Sequence, residues 1–281
     1  MNSEIKNNLL AHLQQVARKR DPYLNQGGHF YVREYIRQEL SEFGKVQEHL
    51  FQINQHKSSN LILDLDCSSE IKNKPPILIA AHYDSVIGSI GADDNATGIA
   101  VLLEIAKYFS QHRTNSPIRL IAFDFEEYGC LGSSAYANDL HKYNLPVRLM
   151  FSLEMLGYCD RTPNSQRYPA PLQYMYPSVG DFIALIGNTK ALFDLIRVHR
   201  SMKQNVNCQW LLAGNKGSLI PDTRRSDHAP FWDYGYKAIM VTDTANLRNP
   251  HYHQPSDTIE TIDLDFLVNV YQGLIGVISK L

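Results

Sequence analysis

From Pro75 onward the chain alternates short, almost continuously apolar runs with longer segments of helical period, and this rhythm limits the possible folds more than any other feature. Residues 77–81, 118–125, 147–153 and 237–242 read as strands buried on both faces, the pattern of a largely parallel sheet covered by helices. Between them, segment 96–110 sets Ile99, Leu102, Leu103, Ala106 and Phe109 at helical spacing, and a second helix runs from Leu264 to the C-terminus. Segment 182–200 predicts a third. The class is α/β.

Before Pro75 the period differs. Residues 3–43 predict two amphipathic helices, carrying Leu9, Leu10, Leu13 and Val16 in one and Val32, Tyr35, Ile36 and Leu40 in the other, with Gly27 and Gly28 between. Segments 46–52 and 60–66 alternate as half-buried antiparallel edge strands do, with a loose hairpin loop expected at 56–59. Two stretches resist any regular element: 158–178, with four prolines among four tyrosines, and 211–225, rich in glycine and polar residues. Long irregular loops in a compact domain usually line something. With no repeat or linker, the 281 residues are expected to form one domain, 1–281, in which 1–74 supplies helices and edge strands and 75–281 the core.

Charge and cysteine usage exclude several functions. Lys plus Arg number 27 against 29 Asp plus Glu, so no basic field exists to attract nucleic acid or an anionic membrane. The longest apolar runs fall far short of the roughly 20 residues that cross a bilayer, and the first 22 residues lack a signal-peptide core. Cys67, Cys130, Cys159 and Cys208 are widely spaced without a CxxC, which suits free thiols and a cytoplasmic location. No strand is followed by GxGxxG, and no GxxxxGK[ST] occurs, so nucleotide binding is not expected.

Chemistry-bearing residues gather where the strands end. His82-Tyr83-Asp84-Ser85 follows the first core strand, Glu126-Glu127 the second and Glu154 the third. In open α/β sheets ligands bind outside the carboxyl ends of strands, so three strand tips deliver His and Glu toward one crevice. Gly91-Ala92-Asp93-Asp94-Asn95 adds carboxylates just before a helix, and His253 lies in the 249–255 loop. A His and carboxylate set without thiolate suits zinc, manganese or cobalt, with zinc the usual occupant. Divalent cations would also relieve the repulsion among Asp93, Asp94, Glu126, Glu127 and Glu154. Adjacent side chains at a strand end point apart, so one of Glu126 and Glu127 can bind metal while the other handles protons.

The stretches AHYDSV (81–86), GADDNATGIAVLLEIA (91–106), FDFEEYGCLGSSAYA (123–137), LEMLGY (153–158), SDHAPF (226–231) and YHQPSDT (252–258) together resemble the M28-type zinc aminopeptidases, in the family's order. The resemblance implies a three-layer α/β sandwich of phosphorylase/hydrolase type with a central mixed, mostly parallel sheet. It also implies two zinc ions held by His82, Asp94, Glu127, Glu154 and His253, with Asp94 bridging. Glu126 then takes the place of the general acid/base, and Tyr252 that of a donor to the oxyanion. A cis peptide after Asp94 is implied as well. The substrate would be a peptide with a free N-terminus. Glu154 stands where many relatives carry Asp.

Simpler readings stand beside these. Asp84 either caps a turn or orients His82. Asp227 and His228 either support the site or substrate loop, or form an ion pair holding the loop. His251 reads as a bystander, and the tyrosines of 158–176 either pack their loop down or wall a substrate pocket. Two rival functions use the same fold: a glutaminyl-peptide cyclotransferase with a single zinc, and a catalytically silent binding protein.

Overall fold

The computed structural model describes residues 2–54, 56–68 and 70–281. Eight strands form one sheet: β1 (Val46–Ile53), β2 (His56–Asp64), β3 (Ile77–His82), β4 (Ile118–Phe123), β5 (Leu149–Glu154), β6 (Ile183–Asn188), β7 (Cys208–Ala213) and β8 (Ala238–Thr242). Their order is β1-β2-β4-β3-β5-β8-β6-β7. β3 pairs in parallel with β4 and β5, and β5 with β8, so four central strands point the same way. β6 and β7 are parallel to each other, whereas β1–β2, β2–β4 and β6–β8 are antiparallel. The sheet is thus mixed and mostly parallel.

Helices cover both faces: α1 (Asn2–Val16), α2 (Gln26–Ser41), α3 (Gly98–Gln111), α4 (Leu131–Lys142), α5 (Leu192–Met202), α6 (His228–Asp233) and α7 (Leu264–Ile278). Successive strand side chains point to opposite faces. Ile77, Ile79 and Ala81 therefore join the core under α1, α2, α3, α5 and α7, while Leu78 and Ala80 join the core with Tyr136 and Leu140 of α4 and Phe231 and Trp232 of α6. Two apolar faces explain why the central strands lack alternation, and each large side chain so buried contributes about 1.5–3 kcal/mol. α3 buries even Glu104, whose carboxylate meets His12 at 3.3 Å and accepts from Asn8 at 3.3 Å. α7 starts where the Asp263 side chain accepts from the Phe266 amide at 2.9 Å, which satisfies one free N–H of the first turn.

Four departures from the expected elements have physical causes. Segment 182–200 divides into β6 and α5, because a buried apolar run as short as 183–186 has no periodicity to separate strand from helix. The expected irregular stretch 211–225 begins inside β7. β2 starts at His56, so 56–59 belongs to the strand, with Ser58 and Ser59 buried. α4 was not foreseen, since Gly132, Ser133 and Ser134 weaken its helical signal. Among the described residues no helix is long and apolar enough to cross a membrane.

Candidate metal centre

The carboxyl ends of β3, β4, β5 and β8 share one edge, and the chain places its chemistry there. His82 closes β3, Glu154 closes β5, and Glu126 and Glu127 follow β4. Asp94 comes from the irregular turn before α3, and His253 from the loop after β8. Asp94 lies between the two histidines: its Oδ1 is 3.2 Å from His82 Nε2 and its Oδ2 is 3.2 Å from His253 Nε2. His253 Nε2 also reaches Glu127 Oε2 at 3.1 Å, and His82 Nε2 lies 3.6 Å from Glu154 Oε2. One carboxylate thus faces two donor groups, His82 with Glu154 and His253 with Glu127.

His82 shows that a cation fits here. Both its ring nitrogens are buried and make no hydrogen bond among the described residues, while Nε2 faces carboxylate oxygens of Asp94, Glu154 and Glu126, the last at 3.9 Å. A buried imidazole lone pair among carboxylates is the donor chemistry of a zinc site. Glu126 is close enough to His82 and Glu154 to belong to such a group, so distance alone does not separate ligand from base. Their anchoring differs. Glu127 is held by His253 and by the Val86 amide at 3.1 Å, whereas among the described residues the Glu126 carboxylate accepts a hydrogen bond only from the Cys130 thiol, at 3.5 Å.

Side chains around these groups hold them in place. Asp84 Oδ1 accepts from the Glu126 amide at 3.0 Å and Oδ2 from the Glu127 amide at 3.1 Å, with His82 Nδ1 3.4 Å from Oδ1. Asp84 thus braces the backbone of the glutamate pair and lies against the His82 ring. Asp257 does the same for the Asp93 and Asp94 amides, at 2.8 and 3.1 Å. Ser226 donates to Glu154 at 2.8 Å, and Asn95 bonds the Leu153 carbonyl at 2.8 Å. Asp93 faces away from the pair of histidines and accepts from Gly157 and Asn249, each at 2.9 Å. The Asp94–Asn95 peptide is cis. Asp257, Ser226 and Asn95 were missed as site residues, although each lies within a quoted motif.

Asp227 is buried, and His228 bonds the Thr223 carbonyl at 2.7 Å rather than Asp227, so the ion-pair reading of these two does not hold. His251 bonds Ser256 at 2.9 Å, outside the cluster. Tyr252 stacks on His253 with ring centroids 3.8 Å apart, and its oxygen accepts from Arg225 at 3.0 Å. Beside Glu154 and Tyr252 opens an apolar cavity of about 100 Å³ walled by Tyr168, Tyr176, Phe182 and Trp210. Two of the four loop tyrosines therefore line a cavity, while Tyr174 points to solvent.

The electrostatics record the crowding. Burial pushes Glu126 well above its ordinary carboxyl value, opposed by His82 and reinforced by Glu154, Glu127 and Asp227. Glu127 is pushed up to about 7 by burial and by Asp94. Burial alone would raise Asp94, but the His253 and His82 ring nitrogens, each 3.2 Å from it, hold it below the usual range. Burial opposes protonation of His253, yet its bonds to Asp94 and Glu127 raise it to about 10. Burial likewise lifts Asp227 to about 7, and Asp257 to about 7 with help from Asp93.

Each raised group binds its proton more tightly folded than unfolded, so the metal-free fold carries extra protons and loses stability as pH rises through these values. Metal-free protein is expected to melt at a lower temperature at pH 8.5 than at pH 6, and saturating zinc should flatten that slope. Calorimetry with and without chelator measures both. A metal-free melting temperature that rises over this range would contradict the carboxylate clustering.

Comparison with known proteins places this geometry in context. Residues 60–278 match the model of Peptidase family M28. The uncharacterized protein YfbL of Escherichia coli is 36% identical over 212 residues, which cover 72% of this chain and 65% of YfbL. The structure of BSAP, a zinc aminopeptidase from Bacillus subtilis, is similar with a TM-score of 0.58 at 26% identity, over 80% of this chain and 50% of that one. Glutaminyl cyclase from Porphyromonas gingivalis shares the fold with a TM-score of 0.71 at 20% identity, over 99% of this chain and 97% of that one. The chain spans less than two thirds of YfbL and half of the Bacillus enzyme.

Proposed function

The chain belongs to peptidase family M28, and from that premise we propose that it is a zinc-dependent aminopeptidase that removes N-terminal residues from peptides. Asp94 carries the reading: its two oxygens face His82 and His253 separately, each at 3.2 Å, as a carboxylate shared between two ions must. His82, Asp94 and Glu154 would hold one zinc, and Asp94, Glu127 and His253 the other. When bound, such ions polarise a carbonyl and lower the pKa of water.

The chain's own groups supply the rest. Glu126 acts from its ionised form: its buried carboxylate accepts the proton of the attacking water, holds it more tightly than an exposed carboxylate would, and returns it to the departing amine. Tyr252 offers its hydroxyl to the charge developing on the carbonyl oxygen. The apolar cavity beside Glu154 receives the side chain of the N-terminal residue, and its Tyr168, Phe182 and Trp210 walls favour a bulky apolar one.

Two measurements test this together: elemental analysis of zinc per chain, and a panel of unblocked aminoacyl substrates run beside a peptide with N-terminal glutamine. Two ions with hydrolysis, fastest for leucyl or phenylalanyl substrates, is expected. One ion with pyroglutamate formation would replace the reading with a cyclotransferase, and ion binding without turnover would leave a silent binding protein.

A further inference from the structure

Two cavities meet at the catalytic carboxylates. The apolar one reaches Glu154, and a second of about 450 Å³ reaches Glu126, Glu127 and His253. Arg225 and Tyr252 line both cavities and form the ridge between them. A peptide whose first side chain fills the apolar cavity and whose second residue enters the other must lay its scissile carbonyl across this ridge.

Arg225 Nη2 donates to the Tyr252 oxygen at 3.0 Å, and its guanidinium carbon lies 5.5 Å from the centre of the Tyr252 ring. A guanidinium can only donate, so the phenol oxygen accepts this bond and keeps its own proton to give elsewhere. Among the described residues Tyr252 gives that proton to no partner. The nearest carboxylate to Arg225, Asp222, stands 3.7 Å away, too far to occupy the guanidinium with a hydrogen bond. Arg224, by contrast, is consumed by Asp233 at 2.7 Å and by the Lys216 carbonyl at 2.7 Å.

We infer that Arg225 is a positioning residue for the reaction: it fixes the Tyr252 phenol so that its remaining proton faces the ridge. This rests on the aminopeptidase reading above. Because Arg225 acts through Tyr252, losing it cannot cost more than losing the hydroxyl itself.

A double-mutant cycle tests the inference, with full-length, zinc-loaded protein and leucine p-nitroanilide as substrate. Tyr252→Phe is expected to lower kcat about 100-fold, as loss of one oxyanion donor does. Arg225→Gln should lower kcat about tenfold with KM nearly unchanged, Arg225→Lys should recover part of that loss, and Arg225→Gln on the Tyr252→Phe background should cost nothing more. Calorimetric binding adds a readout independent of turnover: the phosphonic acid analogue of leucine should bind about tenfold more weakly to Arg225→Gln, and leucine equally well. Multiplicative losses in the double variant, or a change confined to KM or melting temperature, would overturn the inference while leaving the aminopeptidase standing. A wild-type protein inert toward the anilide and all other unblocked aminoacyl substrates would overturn both.

Discussion

Glutamine in place of Glu126 is expected to cut turnover of an unblocked aminoacyl substrate about 1,000-fold while zinc content stays at the wild-type level. Glutamine keeps the shape and the hydrogen-bonding reach of the side chain but cannot accept a proton. The Asp84 carboxylate fixes the amides of Glu126 and Glu127 in register, one on each oxygen, so the exchange leaves the neighbouring Glu127 undisturbed. Glu127 is tied to His253 and the Val86 amide, whereas among the described residues only a thiol hydrogen-bonds the Glu126 carboxylate. The matched variant Glu127→Gln should behave in the opposite way, losing zinc first and activity as a result. Elemental analysis and kcat on the same preparations separate the two. If Glu126→Gln kept turnover within tenfold of wild type, or lost its metal, the division of labour between these glutamates would be wrong.

The strand-tip residues could be read because their chemistry conflicts with their surroundings: an apolar strand that ends in His or Glu has placed a charge where burial is costly, and a ligand is the usual reason. Backbone geometry around the same residues could not be read. Phe125, Met155 and His253 all adopt left-handed conformations, at φ of 57°, 49° and 58°, although none is glycine. Each costs about 1–2 kcal/mol and lies in or next to the His and carboxylate cluster, but no residue type announces it. β6 and β7 were lost for a different reason. The helical reading of 182–200 absorbed the apolar run Ile183 to Ile186, too short for its period to mark it as a strand, and β7 mixes Gln209 and Trp210 into a half-exposed strand that lacks the continuous apolar run of the centre. The bracing residues depend on contacts across the chain, such as Asp257 with Asp93, 164 positions apart. Such pairs leave no local pattern.

Arg20 is the largest of these long-range supports, and its replacement by methionine should lower stability by about 4 kcal/mol, a fall in melting temperature of roughly 10 °C. The side chain is fully buried, yet among the described residues it bonds no carboxylate. Its guanidinium donates to six backbone carbonyls: Tyr83 at 2.8 Å, Val16 and Arg18 at 3.2 Å, Gly91 at 2.9 Å, Asp94 at 3.3 Å, and Ile90. The segment after α1 is thereby stitched to the loop that carries Asp94. Burial works against the charge, while Asp94, Asp257, Asp84 and Glu127 favour it from nearby. The loop is shaped to this cation: Gly91 sits at φ +55°, and a Cβ there would come within 2.1 Å of the Asp94 carbonyl and 2.9 Å of the Arg20 guanidinium. Methionine fills much of the volume but leaves several buried carbonyls without donors. Lysine restores the charge from a single nitrogen that cannot span the fork, so Arg20→Lys should recover only part of the loss. Because Arg20 holds the carbonyl of Asp94 from one side and Asp257 holds its amide from the other, the methionine variant should also bind zinc about 10–100-fold more weakly in a chelator competition. Melting curves with and without metal separate the two effects, since lost packing lowers both curves and weaker zinc binding narrows the gap between them. A variant that melts within about 2 °C of wild type in both states would mean that water satisfies these carbonyls and that Asp94 is positioned without Arg20.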